Sequence, residues 1–173
     1  VAQNSTNQVL SSLFEVIPEA NGCFGSSVLF TIDVSPETSI SPISDMEFCS
    51  GDQTSTIVFS GGGSSYTWTN DTPSIGLPAS GSGNIGPFTA LNGSNNSVQA
   101  TITVTPLFVG GVTSCPGSSE DFTITVNPIP TVLPILDQTI CNGSSSQAVQ
   151  FTGTNASSFQ WSASSTSIGI LSG

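Results

Sequence analysis

The chain repeats itself at a fixed offset, and that repeat constrains its fold more than any single motif. From Val34-Ser35-Pro36 to Val126-Asn127-Pro128 the spacing is 92 residues. Cys23 returns as Cys115, Phe30-Thr31-Ile32 as Phe122-Thr123-Ile124, and Cys49-Ser50-Gly51 as Cys141-Asn142-Gly143 at the same offset. Phe59-Ser60-Gly61 returns as Phe151-Thr152-Gly153, while Trp68 and Ser74-Ile75-Gly76 return one residue later, as Trp161 and Ser167-Ile168-Gly169. A period this long predicts tandem domains, each a structural unit copied along the chain.

The boundaries follow from the match. Residues 1–35 read as the C-terminal half of a repeat, 36–128 as a complete repeat, and 129–173 as the N-terminal half of a further one. The loop before Cys23 is four residues shorter than the loop before Cys115. Within the complete unit, residues 98–105 alternate apolar and polar, as do residues 120–126. That is the period of a strand with one buried face. Shorter strands are expected at 40–43 with 46–48, and at 56–60, 66–70 and 87–91. Gly61-Gly62-Gly63, Asn70-Asp71-Thr72-Pro73, Gly81-Ser82-Gly83 and Asn92-Gly93 punctuate them as turns. About seven short strands per repeat predict an all-β chain of tandem immunoglobulin-like β-sandwiches with a period of about 92 residues. Trp68 and Trp161 then read as core aromatics, with sugar stacking as the functional alternative.

Composition removes most chemistry. There is no Lys, Arg or His, against 11 acidic residues, and only 6% of the chain is charged. Imidazole bases, Schiff bases and Ser-His-Asp triads are therefore excluded. A net charge of −11 with no cation disfavours nucleic acid and anionic membranes. No apolar run reaches the ~18 residues that span a bilayer, so membrane insertion is not expected. Ser, Thr, Asn and Gly supply the polar surface instead of charge, which suits an extracellular, cell-surface location. The four cysteines lack the CxxC pairs of a zinc site and read as disulfides. Hydrophobic residues still make up 36% of the chain, enough for a core.

Phe48-Cys49-Ser50-Gly51, Ile140-Cys141-Asn142-Gly143, Ser82-Gly83-Asn84-Ile85 with Phe88-Thr89-Ala90, residues 100–106 and residues 122–128 carry a family resemblance. The chain resembles the PKD-like and Ig-like tandem repeats of large secreted Bacteroidetes surface proteins, which include gliding-motility adhesins exported by type IX secretion. The resemblance spans essentially the whole chain, with residues 2–19 departing most. It implies an extracellular adhesive or spacer role and no catalytic residue.

The family's repeats carry one Cys after the first strand and one before the last. By that resemblance Cys49 pairs with Cys115 inside the complete repeat, and Cys23 and Cys141 find partners in neighbouring half-repeats. The competing scheme, Cys23 with Cys49 and Cys115 with Cys141, staples neighbouring domains across the length of a sandwich. Glu37, Asp45, Glu47 and Asp52 gather near a domain junction and are weak calcium candidates. No EF-hand spacing supports them, and the bland alternative is solvated acids. No other cofactor or metal is expected.

Three functional readings follow. The first is a non-enzymatic structural and adhesive stretch of a cell-surface fibre, whose partners are neighbouring repeats and possible targets such as surface polysaccharide or another cell. The second is a filament subunit in which one chain's front half-domain is completed by the next chain's back half. The third is a carbohydrate-binding module of a secreted hydrolase, which predicts exposed aromatics. The first of these treats the chain as a window on a longer array.

Overall fold

Alternation in the sequence becomes a ladder in the structure. The computed structural model describes residues 1–6, 8–110, 113–165 and 167–169. Ten strands follow in order: β1 Leu10–Val16, β2 Glu19–Ala20, β3 Cys23–Phe24, β4 Val28–Val34, β5 Met46–Cys49, β6 Ser65–Asn70, β7 Ser80–Ser82, β8 Val98–Gly110, β9 Thr113–Pro116 and β10 Glu120–Asn127. Among the described residues the only helical element is a 3-10 turn at Pro73–Ile75. The protein is all-β.

The main sheet has the order β5-β10-β8-β6-β7, with β9 continuing along the far end of β8. Its pairs are antiparallel except β10 with β5, which run parallel with Val126 opposite Phe48. Ala100, Ile102 and Val104 of β8 and Phe122, Ile124 and Val126 of β10 all point to one face and are buried. Each of these side chains other than Ala100 contributes about 1.5–3 kcal/mol by leaving water.

A second layer covers that face without forming long strands. It consists of three backbone segments joined by single bridges: Ile40 to Gly61, Gln53 to Thr89, and Ile57 to Ile85. The strands expected at 40–43, 56–60 and 87–91 are therefore interrupted. Side chains take the place of ladder bonds there: Phe59 N–H donates to Asn84 Oδ1 at 3.0 Å, and Phe88 N–H donates to Thr54 Oγ1 at 3.0 Å. These acceptors, 25 and 34 residues away in sequence, satisfy backbone donors that a regular ladder would otherwise pair. Ile57, Phe59, Ile75, Leu77, Ile85 and Ala90 from this layer complete the core with Trp68. The two-layer arrangement of residues 36–128 is consistent with a β-sandwich.

The sandwich has two distinct ends. At the entry end, Thr38 C=O accepts from Ser118 N–H, and Pro106 C=O accepts from Gly117 N–H at 2.9 Å. At the exit end, Asn127 lies opposite Cys49, beside the Val126–Val98 pair. Eight residues of β8 separate Val98 from Pro106, so the two ends lie about 27 Å apart at ~3.4 Å per residue.

Outside residues 36–128 the same geometry recurs in pieces. β1 pairs with β4 so that Leu10 faces Val34 and Phe14 faces Phe30. In the complete unit Val98 faces Val126 and Ile102 faces Phe122, which is the same register. The four-residue difference in loop length is absorbed between the strands: the first copy has the short β2/β3 ladder where the second has the long β8/β9 hairpin. Downstream, Leu133 N–H donates to Thr152 C=O at 2.8 Å, as Ser41 N–H donates to Ser60 C=O at 2.8 Å. Gly153 lies against Thr131 and Val132 as Gly61 lies against Ser39 and Ile40.

Candidate functional site

The surface that sets this chain apart is apolar and uncovered. Positions that are buried on β8 and β10 have exposed counterparts on β1 and β4: Phe14 is 40% exposed, Phe30 45% and Ile32 46%, against 0% or 1% for Ile102, Phe122 and Ile124. Phe14 and Phe30 stack with ring centroids 5.1 Å apart and planes 13° from parallel. The opposite face of the same hairpin is mixed: Ser11 Oγ donates to Asp33 Oδ1 at 2.5 Å and Glu15 lies further along, with Leu13 and Leu29 exposed among them.

Residues 129–169 present the reciprocal surface. Phe151 and Phe159 pack at 6.0 Å between centroids, much as Phe59 and Tyr66 pack at 5.8 Å in the complete unit. Val149, Phe151 and Trp161 line an open cleft of about 390 Å³. Their counterparts Ile57, Phe59 and Trp68 close over β8 and β10. Trp68 is 7% exposed and Trp161 37%. Trp68 lies within the paired strand β6, whereas Trp161 lies in a segment without strand pairing.

The junctions between units share a design. A groove of about 630 Å³ is lined by Asn4, Ser5, Pro36 and Glu37, among others. A second, of about 220 Å³, is lined by their counterparts Asn92, Gly93, Pro128 and Ile129. Each is shaped by the same asparagine turn. Asn92 Nδ2 donates to Val126 C=O at 2.7 Å and Asn96 C=O at 2.8 Å, while its Oδ1 accepts from Ser94 N–H at 2.8 Å. Asn4 does the same with Val34 C=O, Gln8 C=O and Thr6 N–H. Both asparagines stand in Asn-x-Ser/Thr sequons, and in both the amide nitrogen is already committed to backbone carbonyls. The turn at Asn92-Gly93 was expected from the sequence and the one at Asn4 was not; the recurring small polar residue two positions on was the available signal.

The cysteine pairing expected from the family resemblance needs correction. Cys49 faces Asn127 at the exit end, whereas Cys115 faces Phe108 beyond the entry end. Ten residues of β8, from Val98 to Phe108, lie between those levels, or about 33 Å at ~3.3 Å each. A disulfide needs Cα atoms closer than about 7 Å, so Cys49 and Cys115 cannot bridge within this unit. All four cysteines are free thiols in the structure, with Cys23, Cys49 and Cys141 exposed.

The four calcium candidates are not brought together either. Asp45 Oδ1 accepts from Thr123 N–H at 2.7 Å, Glu47 Oε1 from Asn127 Nδ2 at 2.6 Å, and Asp52 Oδ2 from Cys49 N–H at 2.9 Å. Glu37 lies at the opposite end, in the entry groove. Among the described residues no group of three or more acids, cysteines or histidines is placed to hold a metal. These carboxylates tie the edge strand β5 to β10 and close its turn.

No protein-family model matches the chain, and no curated protein matches it. Its class is set by the fold alone: an all-β chain whose residues 36–128 form a two-layer arrangement consistent with a β-sandwich.

Proposed function

We propose that the chain is a non-enzymatic structural and adhesive stretch of an extracellular cell-surface fibre, built from Ig-like, PKD-like sandwich repeats of about 92 residues. The single observation that carries this reading is the shared register of β1/β4 and β8/β10, with the same asparagine turn closing each. A backbone pattern copied to the level of individual hydrogen bonds supports a unit made for stacking end to end. The absence of Lys, Arg and His from the sequence removes the usual acid–base and nucleophile-activating partners. Burial of Trp68 and the packing of Tyr66 on Phe59 leave the complete unit without an aromatic strip for sugar stacking. Adhesion by such a fibre rests on many weak contacts acting together.

Antibodies raised against the chain test this directly. Immunogold labelling of intact source cells is expected to decorate the outer surface in extended arrays, and Fab fragments are expected to reduce attachment of cells to a substratum. Label confined to the cell interior overturns the reading.

A further inference from the structure

Among the described residues, Trp68 carries the only buried side-chain nitrogen or oxygen without a hydrogen-bond partner. Its indole Nε1–H is sealed from solvent and donates to nothing. The residue is 7% exposed and shares the core of residues 36–128 with Leu77, Ile85 and Val104. A donor left in this state has lost its hydration without gaining a bond in exchange, which destabilises the closed arrangement around it.

The segment lying against the ring is the least anchored in the unit. β7, Ser80–Ser82, is an edge strand that pairs only with β6. The Trp68 indole crosses the bare Cα of Gly81. Ala79, Ser80, Ser82 and Gly83 are exposed, so no side chain of residues 79–83 is rooted in the core. Gly83 takes φ 70°, with nothing within 4 Å of the place where a side chain would start. The anchors stand just outside this stretch. Leu77 and Ile85 are fully buried. Asn70 Nδ2 donates to Leu77 C=O at 2.9 Å and to Pro78 C=O at 3.3 Å, while Asn84 Oδ1 accepts from Phe59 N–H at 3.0 Å. Residues 79–83 can therefore leave the sheet without drawing either anchor out of the core.

We propose that residues 79–83 form a strap that opens locally while the rest of the unit stays folded. The sandwich then has a second state, in which the Trp68 Nε1–H is hydrated and the edge of β6 is uncovered. Opening breaks the Asn70 N–H bond to Ala79 C=O, 2.8 Å, the Gly83 N–H bond to Tyr66 C=O, 2.9 Å, and the Trp68–Gly81 pairing. Water replaces each of these bonds, and it supplies one to the indole donor that the closed state lacks. Two glycines and two serines recover backbone freedom. Partial exposure of the indole opposes these gains and keeps the closed state dominant. The other strands of the sheet have no such balance. β5, at the opposite edge, packs Met46 and Phe48 against the core. β8 and β10 bury Ile102, Val104, Phe122 and Ile124, so opening them is unfolding of the unit as a whole. The strap belongs to residues 36–128 alone and is independent of what the chain adheres to.

Native-state hydrogen exchange of the full chain, read by NMR at increasing sub-denaturing guanidinium chloride, is the test. The Trp68 indole proton and the amides of Asn70 and Gly83 are expected to share one opening equilibrium that does not respond to denaturant. That opening should be at least about a hundredfold more populated than the one that releases the Ile102 and Ile124 amides, which should depend steeply on denaturant. An indole proton that exchanges only with the Ile102 and Ile124 amides overturns the proposal, as does strap exchange that leaves the indole proton behind. A second measurement isolates the donor. In a Trp161→Phe background, biosynthetic incorporation of benzothienylalanine places sulfur where the indole N–H of residue 68 stood and keeps the ring's shape. The closed state then holds no unpaired donor, and the Asn70 and Gly83 amides are expected to exchange about tenfold more slowly. Strap exchange that is unchanged or faster overturns the role given to the indole N–H.

Discussion

Trp68 on β6 lies directly opposite Gly81 on β7, and its indole ring occupies the space where a side chain at position 81 would begin. The strand at the sheet edge is therefore bare so that the largest aromatic of the core can lie across it. Gly81→Ala forces the ring out of place and is expected to destabilise the complete unit by about 1–3 kcal/mol, the usual cost of overpacking. Thermal melting followed by tryptophan emission should show both a lower Tm and a red-shifted native spectrum. An unchanged Tm would show that β7 moves aside without loss.

Asn92 holds the exit loop to the Val126 carbonyl near the end of β10. Asn92→Ala removes donors to Val126 and Asn96 and the acceptor for Ser94. A loss of about 1–3 kcal/mol is expected from carbonyls left without a partner. For a unit of this size that corresponds to roughly 4–8 °C in Tm per kcal/mol. Asn92→Asp is expected to lose nearly as much, because the donating amide and not the accepting oxygen reaches β10. A chemical-denaturation midpoint equal to wild type for both variants contradicts this role.

Asp71 links the turn after β6 to β8. Thr101 N–H donates to its carboxylate at 2.8 Å, and the Thr72 hydroxyl adds a second bond at 2.8 Å. These bonds, the backbone one foremost, hold its carboxyl below the ordinary carboxylate range. A lowered pKa in the folded state means the unfolded chain takes up the proton first as pH falls. The stabilisation is thus complete above the unfolded value of about 3.9 and is lost as pH drops through the lower folded one. Asp71→Asn should flatten the Tm-against-pH curve in that acid window by lowering its neutral-pH end, while leaving the acid end nearly unchanged. An identical acid slope in the two proteins would remove Asp71 from the account.

Phe122 and Phe30 occupy one position in the two hairpins, yet their surroundings differ. Phe122 is 1% exposed, so Phe122→Ala is expected to cost about 3–5 kcal/mol in the complete unit. Phe30→Ala should leave the unfolding of that unit unchanged. Equal losses from the two substitutions would mean that β1/β4 folds against residues 36–128.

Much of the main sheet was legible in the sequence because its strands obey a strict period of two. Val98 to Thr105 and Glu120 to Val126 could be placed by alternation alone, and the offset of 92 located the partial copies. The second layer was harder to read. Around Thr54, Phe59 and Asn84 the backbone bonds to side chains, and nothing in an apolar-polar pattern distinguishes such a segment from a strand. β9 escaped notice because β8 runs past Pro106, where a proline would ordinarily end a strand. The cysteine pairing failed for a geometric reason: matching positions in a repeat gives the order of residues along the chain, not the end of the sandwich at which each falls. Of the asparagine turns, Asn92-Gly93 was read as a turn and Asn4 was not, and the bonds that fix both run to carbonyls 30 and 34 residues away.

The parallel contact between β5 and β10 has a consequence for load. β5 belongs to the start of the unit and β10 to its end, and they lie side by side with Met46 opposite Ile124 and Cys49 opposite Asn127. Tension applied through the chain enters beside Thr38 and leaves after Asn127, so it pulls the two strands past each other along their length. Their hydrogen bonds are strained together in shear instead of parting one at a time, and the carboxylates of Asp45 and Glu47 lie across the same seam. A unit wired in this way resists being drawn out, which is the property a tether exposed to flow would require.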